Sequence, residues 1–108
     1  MIITRTPFRM SFFGGGTDLP AWYRENGGAV LSTTIDKYCY VSLRKLPPFF
    51  DYKHKIVFFS KQEAFNDFDE IEHPAVRETS RFMEVREGLV MQHDGDLPSH
   101  SGLGSSSA

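Results

Sequence analysis

Twelve residues, Ile2 to Phe13, carry mostly β-branched, aromatic and other strand-compatible side chains and run directly into three glycines, Gly14-Gly15-Gly16. That junction constrains the fold more than any other feature of the chain. A period of two sets Phe8, Met10 and Phe12 on one side and Arg9, Ser11 and Phe13 on the other, the pattern of a strand. Pro7 has no amide hydrogen to give to a ladder, so it places this strand at an edge, a bend or a strand start. Glycine reaches positive φ without steric cost, so the strand stops and turns at Gly14–Gly16. Thr17-Asp18-Leu19-Pro20 is then a helix start, with Thr17 or Asp18 capping and Pro20 near the first turn. A short helix through Trp22-Tyr23-Arg24-Glu25 ends at Asn26-Gly27-Gly28 in a left-handed stop.

Further along, 29–35 and 38–46 are strands separated by Asp36-Lys37, the second alternating Cys39, Val41, Leu43 against Tyr40, Ser42, Arg44. Pro47-Pro48 ends it, and 55–60 makes an antiparallel return. Residues 66–72 form an acidic loop. Pro74 opens a helix over 74–87 with Val76, Phe82, Met83 and Val85 as its apolar stripe, broken by Gly88. Residues 89–93 form another strand, Asp94-Gly95-Asp96 a turn, and Pro98 leads into a terminal loop. Strands and helices alternate without a regular βαβ rhythm, so the class is α+β.

Composition narrows the function. The 108 residues hold 12 Lys+Arg against 14 Asp+Glu, and a net charge of −2 lacks the positive field of non-specific nucleic-acid binding. No apolar run is long enough to span a bilayer, and the first thirty residues lack the regions of a signal peptide. One cysteine, Cys39, excludes an internal disulfide framework and a Cys-rich zinc site, which fits a cytoplasmic protein. Ten phenylalanines supply enough buried area to offset chain entropy, so the chain folds.

A second glycine-rich stretch, Ser101-Gly102-Leu103-Gly104-Ser105-Ser106-Ser107-Ala108, closes the sequence. Glycines let successive amides face one point and form a nest for an anion. A helix beginning near Ser105 adds its dipole, and the serine hydroxyls can meet phosphate or Mg²⁺. No Gly-Lys-Ser/Thr follows, so this is not a Walker loop. By composition alone the same stretch is a flexible linker. It stops where a helix is due, so the sequence is expected to be the N-terminal piece of a longer protein.

The order of residues adds a resemblance. Pro98-x-x-x-Gly102-Leu103-Gly104-Ser105-Ser106-x-Ala108 closely resembles the phosphate-binding loop of the GHMP kinases, the family of galactokinase, homoserine kinase, mevalonate kinase and phosphomevalonate kinase. Pro7-Phe8-Arg9, the apolar residues after it, Gly14 and Thr17-Asp18 resemble the family's N-terminal substrate motif. The triple glycine, residues 73–78 and residues 93–98 look most like the branch that phosphorylates D-glycero-D-manno-heptose 7-phosphate at its anomeric oxygen. Fucose kinases are close relatives. The resemblance implies a two-layer α+β N-terminal domain similar to the second domain of ribosomal protein S5. Residues 1–108 would be the N-terminal part of the ATP-binding domain, cut inside the phosphate loop or its helix.

It also implies an activity, transfer of the γ-phosphoryl group of ATP to a sugar or sugar phosphate, with Mg²⁺. Phosphoryl transfer relies on alignment and charge neutralisation more than on covalent help. Arg9 would stabilise transition-state charge. Gly14, Gly15, Gly16, Thr17 and Asp18 would bind substrate, Asp18 by accepting hydrogen bonds from sugar hydroxyls. Ser101, Gly102, Leu103, Gly104, Ser105, Ser106 and Ser107 would hold the nucleotide phosphates, and Ser106, with Ser105 as alternate, would meet Mg²⁺. Gly15 and Gly16 stand where galactokinases carry a Glu-His pair, which argues against galactose. The family's catalytic aspartate lies downstream, so these residues alone are expected to be inactive. Rival readings are a sugar- and ATP-binding protein without catalysis and a nucleic-acid-binding module, the latter disfavoured by the acidic balance.

Other features are weaker. His93, Asp94, Asp96 and His100 lie close in sequence but lack zinc-ligand spacing. A Ser-His-Asp hydrolase would need a Gly-x-Ser-x-Gly elbow, which is absent. Cys39 is expected to be a buried small hydrophobe. Trp22 and Tyr23 are expected to pack the first helix, with Trp22 near enough to Asp18 to line a sugar site. His54 and His73 have no assignable partner.

Overall fold

A computed structural model describes residues 1–59 and 61–98. Its strands are β1 (Ile2–Phe13), β2 (Leu31–Lys45), β3 (His54–Phe58), β4 (Lys61–Phe65) and β5 (Leu89–Gly95). The helices are α1 (Pro20–Asn26) and α2 (Pro74–Phe82), with single 3₁₀ turns at Gly15–Asp18 and Phe68–Glu70. The strands make one mixed sheet in the order β1-β2-β5-β3-β4, antiparallel except for the β3–β5 pair. The α+β class read from the sequence holds.

β1 occupies one edge of the sheet, one of the placements open to Pro7, and runs through the range its alternation predicts. β2 corrects the sequence reading: residues 29–35 and 38–46 are not two strands, since one strand runs through Asp36-Lys37. The ladder accommodates those residues by a bulge, because Pro7 faces Tyr38 while Arg9 faces Thr34. Two turn-forming residues inside a strand therefore mark a kink in a continuous ribbon. The return strand is corrected too. β3 does not pair with β2; β5 lies between them, parallel to β3. β4 was missed because Lys61-Gln62-Glu63 lacks apolar residues, yet Ala64 and Phe65 close a hairpin against β3.

α2 is shorter than its apolar stripe suggests. It stops at Phe82 because Glu84 takes a left-handed φ of 49°, while the Val85 amide donates back to the Ser80 carbonyl. Only Val76 of the expected stripe packs on the core, and Phe82 and Met83 stay exposed. Gly88 serves the following crossing instead: a Cβ there would lie 2.7 Å from the Lys53 carbonyl oxygen. Asp94 and Gly95 belong to β5 rather than to a turn, paired with Tyr40 and Cys39. Asp96 prolongs this ladder by giving its amide to the Tyr38 carbonyl and accepting the Tyr38 amide on Oδ2.

The core sits at one end. Ile56, Phe65 and Ile71 are buried, with Phe58, Phe68, Val76 and Met91 packed around them. At the other end the β1–β2 ribbon extends past the rest of the sheet, with Phe8 its buried anchor above Gly95. The molecule is consequently long, 50 × 32 × 21 Å, with a radius of gyration of 16.2 Å. A compact domain of this length has a radius near 13 Å.

Candidate functional site

The far end of the ribbon carries the first glycine motif. Gly14 has φ 86°, and a Cβ there would stand 1.9 Å from the Ala29 carbonyl oxygen, so both conformation and space demand glycine. The turn tightens when the Thr17 amide donates to the Gly14 carbonyl at 2.9 Å. The Thr17 hydroxyl donates to the same carbonyl at 2.7 Å, with the Ala29 carbonyl 3.3 Å away as a second acceptor. Thr17 is thus not the cap of α1, and neither is Asp18. Leu19 occupies the cap position without a side-chain bond, and Pro20 opens the helix. Thr17 ties the glycine turn to the chain entering β2, which leaves Asp18 available.

Arg9 and Asp18 meet across this turn, with Nη2 to Oδ2 at 3.6 Å. Both side chains are about half exposed, 55% and 52%, so the pair is loose, screened by water and weak as a source of stability. What it offers is chemistry: guanidinium N–H donors beside carboxylate acceptors, both open to a ligand. Gly16 has nothing within 4 Å of where a Cβ would stand, and Gly15 only the Ser11 Cβ at 3.8 Å. The fold itself therefore does not require glycine at these two positions. They leave bare backbone beside the ion pair.

An open pocket of about 270 Å³ adjoins the turn, lined by Thr17, Asp18, Tyr23, Gly28, Ala29 and Val30. Gly28 packs against Thr17, where a Cβ would come within 3.0 Å of three Thr17 atoms. Tyr23, rather than Trp22, faces this pocket; both are partly exposed instead of packing α1. Sequence reasoning missed Tyr23 because distance along the chain from Asp18 favours neither aromatic.

The second motif, Ser101 to Ser107, and His100 lie outside the described residues. The described chain does lead towards the first motif. Asp96 is bonded to Tyr38, and Tyr38 faces Pro7, two residues before Arg9.

The remaining candidates resolve into structural roles. Cys39 is buried as expected, but its Sγ also lies 3.1 Å from His93 Nε2. Burial pushes the thiol pKa up and Asp94 adds to the shift, which disfavours the nucleophilic thiolate. The His93 ring also stands edge-on to Phe59. Asp94 accepts from the Gly95 amide, and Asp96 from Tyr38. Among the described residues no three such side chains converge as metal ligands. His54 and His73, without partners in the sequence reading, have aromatic ones. His54 stacks on Phe65 and lies against Phe68, and His73 meets Phe58 edge-on.

No protein-family model matches the chain, and neither does any curated protein. Solved structures do. A D-glycero-D-manno-heptose 1-phosphate kinase from Bacteroides thetaiotaomicron matches 96% of this chain with a TM-score of 0.72 at 21% identity. A putative sugar kinase from Campylobacter jejuni matches 96% with a TM-score of 0.63 at 27% identity. The mevalonate kinase of Methanococcus jannaschii matches 97% with a TM-score of 0.64 at 18% identity. The fold is accordingly that of the N-terminal domain of GHMP-type kinases. The chain spans just over a third of the length of these structures, 37%, 36% and 35%. No described helix is long and apolar enough to cross a membrane.

Proposed function

We propose that residues 1–108 are the N-terminal part of the ATP-binding domain of a GHMP-type sugar kinase, acting in the cytoplasm on a small-molecule sugar or sugar phosphate. Its substrate in this reading is D-glycero-D-manno-heptose 7-phosphate, phosphorylated on the anomeric oxygen. The observation that carries the reading is the meeting of Arg9 and Asp18 at 3.6 Å beside a bare glycine turn. The shared fold of sugar kinases supports it further.

The roles follow from the chemistry of each group. Asp18 accepts hydrogen bonds from sugar hydroxyls and orients the acceptor. Arg9, next to it, stabilises the charge that develops on the transferring group. The backbone of Gly14, Gly15 and Gly16 lets the substrate approach closely, while Thr17 holds the turn rigid. Glycine amides and serine hydroxyls suit nucleotide phosphates, so Ser101, Gly102, Leu103, Gly104, Ser105, Ser106 and Ser107 hold ATP, with Ser106 towards Mg²⁺. The bound Mg²⁺–nucleotide supplies the phosphoryl group and neutralises its charge.

The test is phosphoryl transfer from ATP–Mg²⁺ by the full-length protein to heptose 7-phosphate, heptose, fucose, galactose and mevalonate. Preferred turnover of the heptose phosphate is expected, and no transfer to any sugar overturns the reading. Residues 1–108 alone are inactive in this proposal, and turnover by them would contradict it. Gly15→Glu in the full-length protein should raise KM for the phosphorylated sugar more than for its unphosphorylated analogue.

A further inference from the structure

We infer that Tyr23 is the specificity-determining wall of the Asp18 pocket, its ring taking the C–H face of a cyclic polyol while Asp18 holds the hydroxyl edge. This deepens the sugar-kinase reading and rests on it for the identity of the reaction, though not for binding. Three observations point the same way. Tyr23 and Asp18 line one pocket together with Thr17, Gly28, Ala29 and Val30, and Tyr23 is the one aromatic residue among them. Tyr23 is 44% exposed although it sits in a hydrogen-bonded helix, its amide donating to the Leu19 carbonyl and its carbonyl accepting from Gly27. The helix therefore fixes where the side chain starts, while the residue itself is not packed away. No described residue hydrogen-bonds its hydroxyl.

A pocket that pairs a carboxylate with an aromatic residue suits a ring carrying both hydroxyls and an apolar face. An acyclic alcohol presents no such face. On this ground the pocket separates cyclic sugars from mevalonate-like acceptors, two substrate classes named among structures that share the fold.

The experiment uses the full-length protein and reads binding and turnover separately. Sugar binding is followed by the fluorescence of Trp22, the only tryptophan in residues 1–108, with any other tryptophan of the full chain replaced by phenylalanine. Tyr23→Ala should weaken cyclic-sugar binding and raise KM by about tenfold, with kcat within about twofold, since the contact is made equally in ground and transition states. Tyr23→Phe should keep most of the affinity because the ring remains. Tyr23→Leu, which keeps apolar bulk for α1, should behave like Tyr23→Ala. Sugar affinity unchanged in both Tyr23→Ala and Tyr23→Leu overturns the inference. Absence of transfer with Tyr23-dependent sugar binding overturns the kinase reading and leaves this one standing. Absence of any sugar binding by the unaltered protein overturns both.

Discussion

The two ends of this molecule are stabilised in opposite ways. At the β3–β4–α2 end, Ile56, Phe65 and Ile71 are buried against one another and His54 is only 2% exposed. At the glycine-turn end, Phe12, Phe13, Leu19, Trp22 and Leu31 are exposed, and shape is held by ladder bonds and the Thr17 tie. Burial stabilises the first end, whereas backbone geometry defines the second. The residues with chemistry to offer stand at the second, where packing constrains them least and a ligand can reach them.

If that contrast is right, the largest loss of stability comes from the packed end. Phe65→Ala should cost about 3–5 kcal/mol by removing a buried ring, read as a fall in the urea midpoint. At the open end only the backbone device should matter comparably. Gly14→Ala forces a positive φ on an L residue and a collision with Ala29, costing about 2–3 kcal/mol. A Gly14→Ala variant as stable as the parent would show that the turn is not the rigid element described. Gly16→Ala is the matched control and should change stability little, since open space surrounds that position.

Next comes a pH effect confined to the packed end. Burial chiefly, with repulsion from Lys53, lowers the His54 pKa from its usual 6.5, and Asp67 opposes the shift only in part. The folded state thus binds a proton at lower pH than the unfolded chain does. His54 leaves stability intact above the unfolded pKa of about 6.5 and erodes it as pH falls towards and through the folded value. Urea midpoints between pH 7.5 and 5 should fall, and His54→Phe should flatten part of that fall. A parallel slope in the variant would remove His54 as the cause.

The same contrast explains how much of the molecule was legible in its sequence. β1, the glycine turn and the limits of α1 follow from local chemistry: alternation, Pro7, Gly14, and Pro20 with Gly27. Arg9 and Asp18 were singled out by the resemblance of their motif to a family's, not by local chemistry, and the turn brings them within 3.6 Å of each other. What was not legible depends on partners far along the chain. The insertion of β5 between β2 and β3, the short polar β4 and the bulge that carries β2 through Asp36-Lys37 are tertiary choices. The end of α2 is local but carries no sequence signal: a left-handed Glu84, a residue with no preference for that conformation, overrides the apolar stripe that continues to Val85. Thr17 was misassigned because a hydroxyl that suits a helix cap suits a carbonyl tie equally well. The Cys39–His93 contact joins residues 54 apart in sequence and has no local signal.

The smallest effect on folding should fall on the pair with the largest expected effect on chemistry. Arg9→Ala removes one half of a water-screened ion pair at 3.6 Å, so stability should change by less than about 1 kcal/mol. Asp18→Asn should be equally mild, because Asp18 caps no helix. In the full-length protein the same changes should separate by role. Arg9→Ala should lower kcat by about a hundredfold or more, through lost stabilisation of developing charge. Asp18→Asn should act on KM as well, because it also weakens the grip on the acceptor hydroxyls. Arg9→Lys keeps the charge but not the fork of donors, and should recover only part of the lost rate. If Arg9→Ala instead unfolds the protein while turnover per folded molecule survives, the pair is a structural clasp, and the division between a packed end and a chemical end fails where it is most exposed.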